Sequence, residues 1–241
     1  MNECKRISMW SGPRNISTAL MYAFRQRSDT SVVDEPLYGH YLTKTNVRHP
    51  GDDEVIASME CDGQRVVSEV LLASCETPVR FFKNMAHHLV GLDRAFLGEL
   101  ANILLTREPK AMLASLSKQL PNPTLRDTGL KEQVELLDLV LKKGQTPVVL
   151  EAKEVLRDPR GVLSQACELL GLPFEAQMLS WSPGPKLEDG VWAKHWYDNV
   201  HASTGFEPYE EKRVDLPKRL EPLLDECIPY FERLTPHSIK S

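Results

Sequence analysis

The sequence of 241 residues has no paired-cysteine motif, no long apolar run and no excess of positive charge. Its five cysteines are scattered and odd in number, which argues against a disulfide framework or a zinc site and is typical of a reducing cytosol. No apolar run approaches the roughly 18 residues that span a bilayer, and the N-terminal MNECKRIS lacks the apolar core of a signal peptide. The formal net charge of −5 leaves no overall electrostatic footprint for nucleic acid or an anionic membrane. We therefore expect a cytoplasmic, soluble protein.

Short apolar runs alternate with longer amphipathic patterns along the chain. Most of the short runs end at a charged residue, as buried parallel strands do at their carboxyl edge. Strands are predicted over residues 6–10, 30–33, 79–83, 102–106 and 147–151. Helices are predicted over residues 15–27, 108–118, 130–141, 159–170 and 218–234. The alternation predicts an α/β fold and a single domain over residues 1–241, with a three-layer, P-loop-like architecture and a central, mostly parallel sheet of about five strands.

The segment MWSGPRNISTALMYAF (residues 9–24) has the layout of a phosphate-binding loop between the first strand and the first helix. It lacks the Gly-Lys-Ser/Thr of nucleotide hydrolases. Free N–H groups at the start of a helix attract a phosphate, to which Arg14 would add a bidentate cation and Ser17 and Thr18 would add hydroxyl donors. A plain strand–turn–helix with a Ser/Thr cap would contain the same residues, so the loop alone leaves both interpretations open.

A second segment, ILLTREPKAMLASLSK, carries Arg107 at the end of a predicted strand and Ser115 eight residues later. This pattern resembles the 3′-phosphate-binding segment of the sulfotransferases that use 3′-phosphoadenosine-5′-phosphosulfate (PAPS). The opening loop, RNIST at residues 14–18, is similar to the 5′-phosphosulfate loop of that family, which is of the Arg-Ser-Gly-Thr-Thr type. The glycine of the family pattern is Ile16 here.

A third segment, residues 148–174, is similar to the strand–Glu–helix–Asp-Pro–helix–Leu-Gly-Leu-Pro stretch of the same sulfotransferases. Together the three segments cover most of residues 5–175 in the order of the family. The resemblance implies transfer of a sulfuryl group from PAPS, as co-substrate, to a hydroxyl or amine of a small-molecule acceptor, without a metal. It implies donor contacts for Arg14, Asn15, Ser17, Thr18, Arg107 and Ser115.

The segment DGVWAKHW is similar to the Gly-x-Trp-Lys end of the C-terminal donor-binding loop of the family. This similarity implies a phosphate contact for Lys194, and a further one for Lys186. The Arg-Lys-Gly that precedes this end in the family is absent here. The aromatic residues of the segment, Trp192 among them, have packing as their alternative role.

The resemblance also implies a lysine and a general base. Lys83, at the end of the third predicted strand, is placed like the family lysine that contacts the transferring group, although it could equally be a solvated strand cap. Glu35 follows the second strand, where several sulfotransferases carry an acidic base; the alternative is a cap on a turn. Cytosolic members use a histidine two residues beyond the lysine, but Met85 stands there, and His87 and His88 follow. The predicted catalytic residues are Glu35, Lys83, Arg14 and His87.

Because parallel strands end at one edge of a sheet, we expect Arg14, Glu35, Lys83 and Arg107 to lie together there. Two other functions are open: a P-loop small-molecule kinase, and a nucleotide-binding protein that has lost the chemistry. The kinase would lack both Gly-Lys-Ser/Thr and a clear aspartate for Mg²⁺. The acceptor and the oligomeric state are not indicated, and the loops expected to select the acceptor are residues 36–75, 119–130 and 181–208.

Overall fold

The computed structural model of the protein describes residues 4–211 and 213–241. Its strands are β1 (Lys5–Ser11), β2 (Thr30–Asp34), β3 (Val79–Met85), β4 (Ala101–Thr106) and β5 (Val148–Glu151). They form one parallel sheet in the order β2-β3-β1-β4-β5, flanked by helices, which confirms the predicted α/β fold. In the register of this sheet, Asp34 at the end of β2 lies beside Lys83 of β3.

The five predicted helices occur within a few residues of their predicted bounds, and seven further short helices among the described residues were not predicted. The α-helices of the described chain are α1 (Ser17–Arg25), α2 (Tyr38–Thr45), α3 (Asp52–Ser58), α4 (Gly63–Val66), α5 (Pro109–Leu116), α6 (Leu125–Thr128), α7 (Leu130–Lys142), α8 (Ala152–Arg157), α9 (Pro159–Leu169), α10 (Ala193–Trp196), α11 (Asp198–Ala202) and α12 (Glu221–Leu234). Short 3₁₀ segments lie at Ala86–Leu89, Ala95–Glu99, Ala176–Leu179, Lys218–Leu220 and Thr235–His237, and Val67–Leu71 is a π-helix. The predicted N-cap of α9 is confirmed, because the Asp158 carboxylate accepts a hydrogen bond from the Gly161 N–H. No helix of the described chain is both long and apolar enough to cross a membrane, and a cytoplasmic location stays a prediction.

The chain divides into two compact units, and the single domain stays a prediction. The first unit comprises residues 4–9, 17–102 and 175–206 of the described chain. Its core includes the stacked rings of Phe24 and Phe81, whose centroids are 4.2 Å apart and whose side chains are fully buried. Burial of aromatic side chains of this size makes a large contribution to the stability of the unit.

A disulfide in the first unit corrects the expectation that the cysteines are unpaired. Cys4, just before β1, is bonded to Cys75, ahead of β3, with the two Cα atoms 5.9 Å apart. The two cysteines are 71 residues apart in sequence, so their spacing did not reveal the pair. Beside the disulfide, the N–H of Lys5 donates to the carbonyl oxygen of Pro78 (2.9 Å), which shows how the fold brings the start of β1 to this loop.

The second unit comprises residues 10–16, 103–174 and 207–241, described except for residue 212. Helix α7 turns its apolar face inward, and Gln133 is fully buried on that face. The Gln133 side-chain amide donates to the carbonyl oxygens of Trp10 (2.9 Å) and Leu105 (2.7 Å). One buried side chain thus ties the ends of β1 and β4, from which the loops described below begin.

Candidate functional site

The loop after β1 is held in a strained and closely packed conformation in the second unit. A Cβ atom at Gly12 would lie 2.5 Å from the carbonyl oxygen of Thr128, so only glycine fits there. Arg14 has φ of 56°, in the left-handed region that non-glycine residues rarely occupy. Such strain is common at functional sites, where the surrounding structure enforces it. The side-chain amide of Asn15 donates to the carbonyl oxygen of Leu105 (3.4 Å), a contact that fastens the loop to β4.

Arg14, Arg107 and Ser115, which the sequence predicted as donor-binding residues, meet in this unit. The Arg14 Nε–H donates to the Ser115 hydroxyl oxygen (3.2 Å), and the Arg107 guanidinium donates to the carbonyl oxygen of Arg14 (2.5 Å). Both guanidinium groups are half-buried. Burial lowers the pKa of Arg14; burial and then the charge of Arg14 lower the pKa of Arg107. Two like charges are therefore held together in partly desolvated surroundings.

Neither of these two guanidinium groups forms an ion pair with a carboxylate in the described part of the chain. Glu108 follows Arg107 directly, but its carboxylate caps α5 by accepting from the N–H groups of Lys110 (2.9 Å) and Ala111 (2.7 Å). Charges that are taken out of water are normally paired. Two neighbouring cations without a carboxylate therefore indicate a site for an anion.

Ser17 and Thr18, the other predicted hydroxyl donors, lie in the first turn of α1, in the first unit. Ser17 is buried and Thr18 is half-buried. The structure therefore gives each of them a place at the start of a nine-residue helix, where N–H groups lack partners within the helix. Their contact with a donor stays a prediction.

A buried cluster of charges in the first unit contains Lys83 and Glu35. The Lys83 ammonium donates to the Asp34 carboxylate (3.0 Å), to the Glu35 carboxylate through a very short hydrogen bond, and to the Tyr197 hydroxyl (2.6 Å). The side chains of Lys83 and Asp34 are 2% and 1% exposed. The alternative that Lys83 is a solvated strand cap is therefore wrong. We call Asp34, Glu35, Lys83 and Tyr197 the lysine cluster.

Glu35 combines backbone strain with a perturbed carboxyl group. Its φ is 40°, and its N–H donates to the carbonyl oxygen of Lys83 (2.8 Å), which fixes the turn after β2. Burial raises the pKa of Glu35, an effect that the Lys83 ammonium opposes and the Asp34 carboxylate reinforces. A carboxyl group with a raised pKa in a strained, buried position is suited to exchange a proton.

Tyr197 of the lysine cluster and its neighbour Trp192 were not assigned a site role from the sequence. The Tyr197 hydroxyl donates to Asp34, 2.8 and 3.0 Å from its two oxygens, and it accepts from the Trp192 Nε1–H (3.1 Å). The Gly190 N–H also donates to Asp34 (3.3 Å). These residues belong to the predicted aromatic loop, which contains the short helices α10 and α11. Its aromatic composition was the only signal in the sequence.

The two candidate histidines lie in the 3₁₀ segment after β3, among aromatic rings. The His88 ring stacks on Tyr38 and Tyr41, with centroids 5.0 and 4.7 Å apart, and the His87 ring meets Tyr41 edge to face at 4.9 Å. Both histidines are buried. Burial, followed by the charges of His87 and other neighbours, lowers the pKa of His88 well below its ordinary value. These histidines are therefore packed as core residues.

The two lysines of the aromatic loop that were predicted to bind the donor form hydrogen bonds within the protein. Lys194 is exposed and donates to both carboxylate oxygens of Glu54 (2.9 and 2.6 Å). The Lys186 ammonium donates to the carbonyl oxygens of Ser182 (2.8 Å) and Gly184 (2.5 Å), and it lies 5.1 Å from the centre of the Tyr22 ring. Donor contacts of these lysines stay predictions.

The structure thus brings Arg14, Arg107 and Ser115 together in one unit, and Glu35 and Lys83 together in the other. The expected common site of these arginines with Glu35 and Lys83 involves both units and stays a prediction. Among residues 4–211 and 213–241, no group of three His, Cys, Asp or Glu side chains is arranged to hold a metal ion.

The fold is that of a sulfotransferase-type protein. The family described as the sulfotransferase domain matches residues 5–237, and the chain belongs to this family. The predicted family is thereby confirmed. Membership supports sulfuryl transfer as the chemistry and implies a sulfuryl donor as co-substrate.

Two curated relatives are known from Arabidopsis thaliana. The branched-chain-amino-acid aminotransferase-like proteins 1 and 2 are 40% and 38% identical to this chain over 238 and 232 residues, which are 98% and 96% of its length. The matched residues are 43% and 41% of those two proteins, so the chain spans about two fifths of their length.

Two solved structures share the fold. The sulfotransferase domain from the curacin biosynthetic pathway aligns with a TM-score of 0.53 at 15% identity, covering 96% of this chain and 99% of that domain. A sulfotransferase from Alicyclobacillus acidocaldarius aligns with a TM-score of 0.55 at 13% identity, covering 97% of this chain and 95% of that one. At such identities the similarity concerns the fold.

Proposed function

We propose that the protein transfers a sulfuryl group from PAPS to a hydroxyl or amine of a small-molecule acceptor. One observation carries the proposal: Arg14 and Arg107 are half-buried, linked to one another and unpaired with any carboxylate in the described chain. PAPS offers two separate anionic groups, the 5′-phosphosulfate and the 3′-phosphate. We assign the first to Arg14, on the loop after β1, and the second to Arg107 and Ser115. Charge-assisted, bidentate contacts suit arginine and phosphate.

In this reaction the bond between sulfur and the 5′-phosphate oxygen breaks, and a bond from sulfur to the acceptor oxygen or nitrogen forms. Negative charge grows on the leaving phosphate, where Arg14 would stabilise it. The products are the sulfated acceptor and adenosine 3′,5′-bisphosphate (3′,5′-ADP). Asn15, Ser17, Thr18 and Lys194 are further proposed donor contacts, the last requiring release from Glu54.

The proton of the acceptor would go to Glu35, the proposed general base. Support comes from the burial of Glu35, its raised pKa and its contact with Lys83, which would stabilise the transferring group. His87 and His88 are the alternative bases, and their packing against Tyr38 and Tyr41 favours Glu35. No metal is part of the proposal.

A thermal-shift comparison of 3′,5′-ADP, ATP and ATP with Mg²⁺ tests the proposal without knowledge of the acceptor. A ligand that binds only the folded state raises the melting temperature. We expect selective stabilisation by 3′,5′-ADP in the wild type and its loss in Arg14→Ala and Arg107→Ala. Arg65→Ala is the matched control, because Arg65 is exposed and paired with Glu60. Selective stabilisation by ATP with Mg²⁺ would instead favour a kinase.

A protein that binds 3′,5′-ADP but sulfates nothing would be a nucleotide-binding protein that has lost the chemistry. A sulfate-transfer screen over small alcohols, phenols and amines separates this outcome from the proposal. Turnover of any acceptor with PAPS supports the enzyme. Binding of 3′,5′-ADP without turnover over the whole screen contradicts it.

A further inference from the structure

Asp34 is a buried carboxylate that has no role in the proposed reaction. It ends β2 and lies in register beside Lys83 of β3. Three donors reach its two oxygens: the Lys83 ammonium (3.0 Å), the Tyr197 hydroxyl (2.8 Å at the nearer oxygen) and the Gly190 N–H (3.3 Å). Two of these donors come from the aromatic loop. These three donors fix the position of the carboxylate between β3 and the aromatic loop.

The lysine cluster contains two carboxylates and one ammonium, so it carries one surplus negative charge when Asp34 and Glu35 are both ionised. Two neighbouring carboxylates in a desolvated place do not hold their protons equally, and one of them takes up a proton much more readily. Asp34 has three donors, including a rigid backbone N–H. Glu35 accepts hydrogen bonds from the Lys83 ammonium and the Tyr197 hydroxyl, has no backbone donor among these contacts, and sits on a strained turn.

We propose that Asp34 is a positioning residue: held by Tyr197 and Gly190, it is the fixed counter-ion of Lys83, and it leaves Glu35 as the carboxylate that exchanges a proton. The inference deepens the proposed function, since it rests on Glu35 as the base. Asp34 itself touches neither donor nor acceptor in this scheme.

The arrangement gives the proton transfer a favourable charge balance. Before the reaction the cluster has a net charge of −1, counting one ammonium and two carboxylates. When Glu35 takes the acceptor proton, Asp34 and Lys83 remain as a neutral ion pair beside a neutral carboxylic acid. Burial favours the neutral cluster, which increases the proton affinity of Glu35.

Several other ionisable groups face the cluster. Burial and the Asp189 carboxylate raise the pKa of Tyr22 on α1, and burial and Glu35 raise the pKa of Tyr38 on α2. Burial also raises the pKa of Tyr197 well above its ordinary value, while the pKa of His88 is lowered. His201 lies against Tyr197, with ring centroids 6.0 Å apart, and its Nε2 is hydrogen-bonded to the Asp189 carboxylate (3.0 Å). The titration of Glu35 is therefore followed at its own carboxyl signal.

Carboxyl ¹³C NMR titration of the full chain tests the inference without an acceptor. In the wild type we expect the Glu35 signal to titrate at a pH above the ordinary glutamate range. In Asp34→Asn the midpoint of the Glu35 titration should move to lower pH. The substitution removes a neighbouring negative charge and leaves Glu35 as the one carboxylate of the cluster that pairs with the Lys83 ammonium. Asp52→Asn is the control: it removes a buried carboxylate of the same unit that pairs with Arg48 and should leave Glu35 unchanged.

Tyr197→Phe provides a second test that keeps the carboxylates in place. The Tyr197 hydroxyl donates to both carboxylates and lowers the pKa of Glu35, so its loss should move the Glu35 midpoint to higher pH. The inference is overturned if Asp34 is the group that takes the proton in the wild type. It is also overturned if either Asp34→Asn or Tyr197→Phe leaves the Glu35 midpoint where it was.

These NMR outcomes do not depend on whether the protein binds a sulfuryl donor. Isothermal titration of the same wild-type sample with 3′,5′-ADP reports on the proposed function. Absence of 3′,5′-ADP binding would refute that function, yet the assignment of charges in the cluster would still stand or fall on the NMR titration.

Discussion

Replacement of Lys83 by methionine removes the only cation from the lysine cluster. The Lys83 side chain is 2% exposed and donates to two carboxylates and the Tyr197 hydroxyl. Methionine has a similar length and would fill the space, so the change isolates the charge. Removing one partner of a buried ion pair leaves an uncompensated buried charge and costs about 3–5 kcal/mol. We expect the unfolding free energy of Lys83→Met at pH 7.5 to fall by about that amount.

Urea denaturation followed by tryptophan fluorescence measures the loss, since the chain has four tryptophans. Lys194→Met is the matched control, because the ion pair of Lys194 with Glu54 is more than half exposed. Exposed pairs contribute little, so this variant should unfold like the wild type. Equal denaturation midpoints for the two variants would refute the view that Lys83 is the buried counter-charge.

The loss in Lys83→Met should depend on pH with a definite sign. Burial raises the pKa of Glu35 and the Lys83 ammonium opposes this, so without the ammonium the folded-state pKa of Glu35 lies further above that of the unfolded chain. Such groups contribute stability fully below the unfolded pKa, about 4, and this contribution is lost as the pH rises through the folded pKa. The deficit relative to wild type should therefore be smaller at about pH 5 than at pH 7.5. A deficit that grows on acidification would contradict the argument.

Three further outcomes are expected. Once an acceptor is known, Glu35→Gln should lower kcat about 10²–10⁴-fold, abolish the acidic limb of the pH–rate profile and leave 3′,5′-ADP affinity unchanged. If the acidic limb persists in Glu35→Gln and disappears in His87→Gln or His88→Gln, a histidine is the base. Because burial lowers the pKa of His88, its contribution to the free energy of unfolding should be fully present above about pH 6.5 and should fall below that pH. Denaturation curves of His88→Gln should therefore show a weaker dependence of stability on pH. An unchanged dependence would contradict the burial of a neutral His88. Reduction of the Cys4–Cys75 disulfide opens a loop of 71 residues and should cost about 4 kcal/mol by the chain-entropy relation; identical urea curves with and without reductant would show otherwise.

The elements that the sequence predicted well are those set by local pattern. Short apolar runs that end in a charge became β1 to β5, and Asp158 followed by Pro159 became the start of α9. Local patterns suffice there because strand and helix periodicity fix which side chains point inward. The resemblance of two segments to the sulfotransferase family implied a common ligand for Arg14 and Ser115, and the structure adds the hydrogen bond between them.

The lysine cluster could not be predicted in the same way. Tyr197 meets Asp34 across 163 residues of sequence, from a segment without periodicity. The left-handed backbone of Arg14 and Glu35 was equally hidden, because the residues that normally announce it are glycine and asparagine. Tertiary packing enforces both features. The disulfide, which joins the start of one strand to the loop ahead of another, depends on strand order in the same way.

Arg14 and Arg107 are proposed to form an anion site for a nucleotide with a separate 3′-phosphate. Isothermal titration of wild type and Arg107→Ala with 3′,5′-ADP and with adenosine 5′-phosphosulfate, which lacks that phosphate, tests it most directly. We predict that Arg107→Ala weakens 3′,5′-ADP binding by about 2–4 kcal/mol, through the loss of one charge-assisted bidentate contact, and hardly changes adenosine 5′-phosphosulfate binding. Equal losses for the two ligands, or no binding of 3′,5′-ADP to the wild type, would contradict the claim.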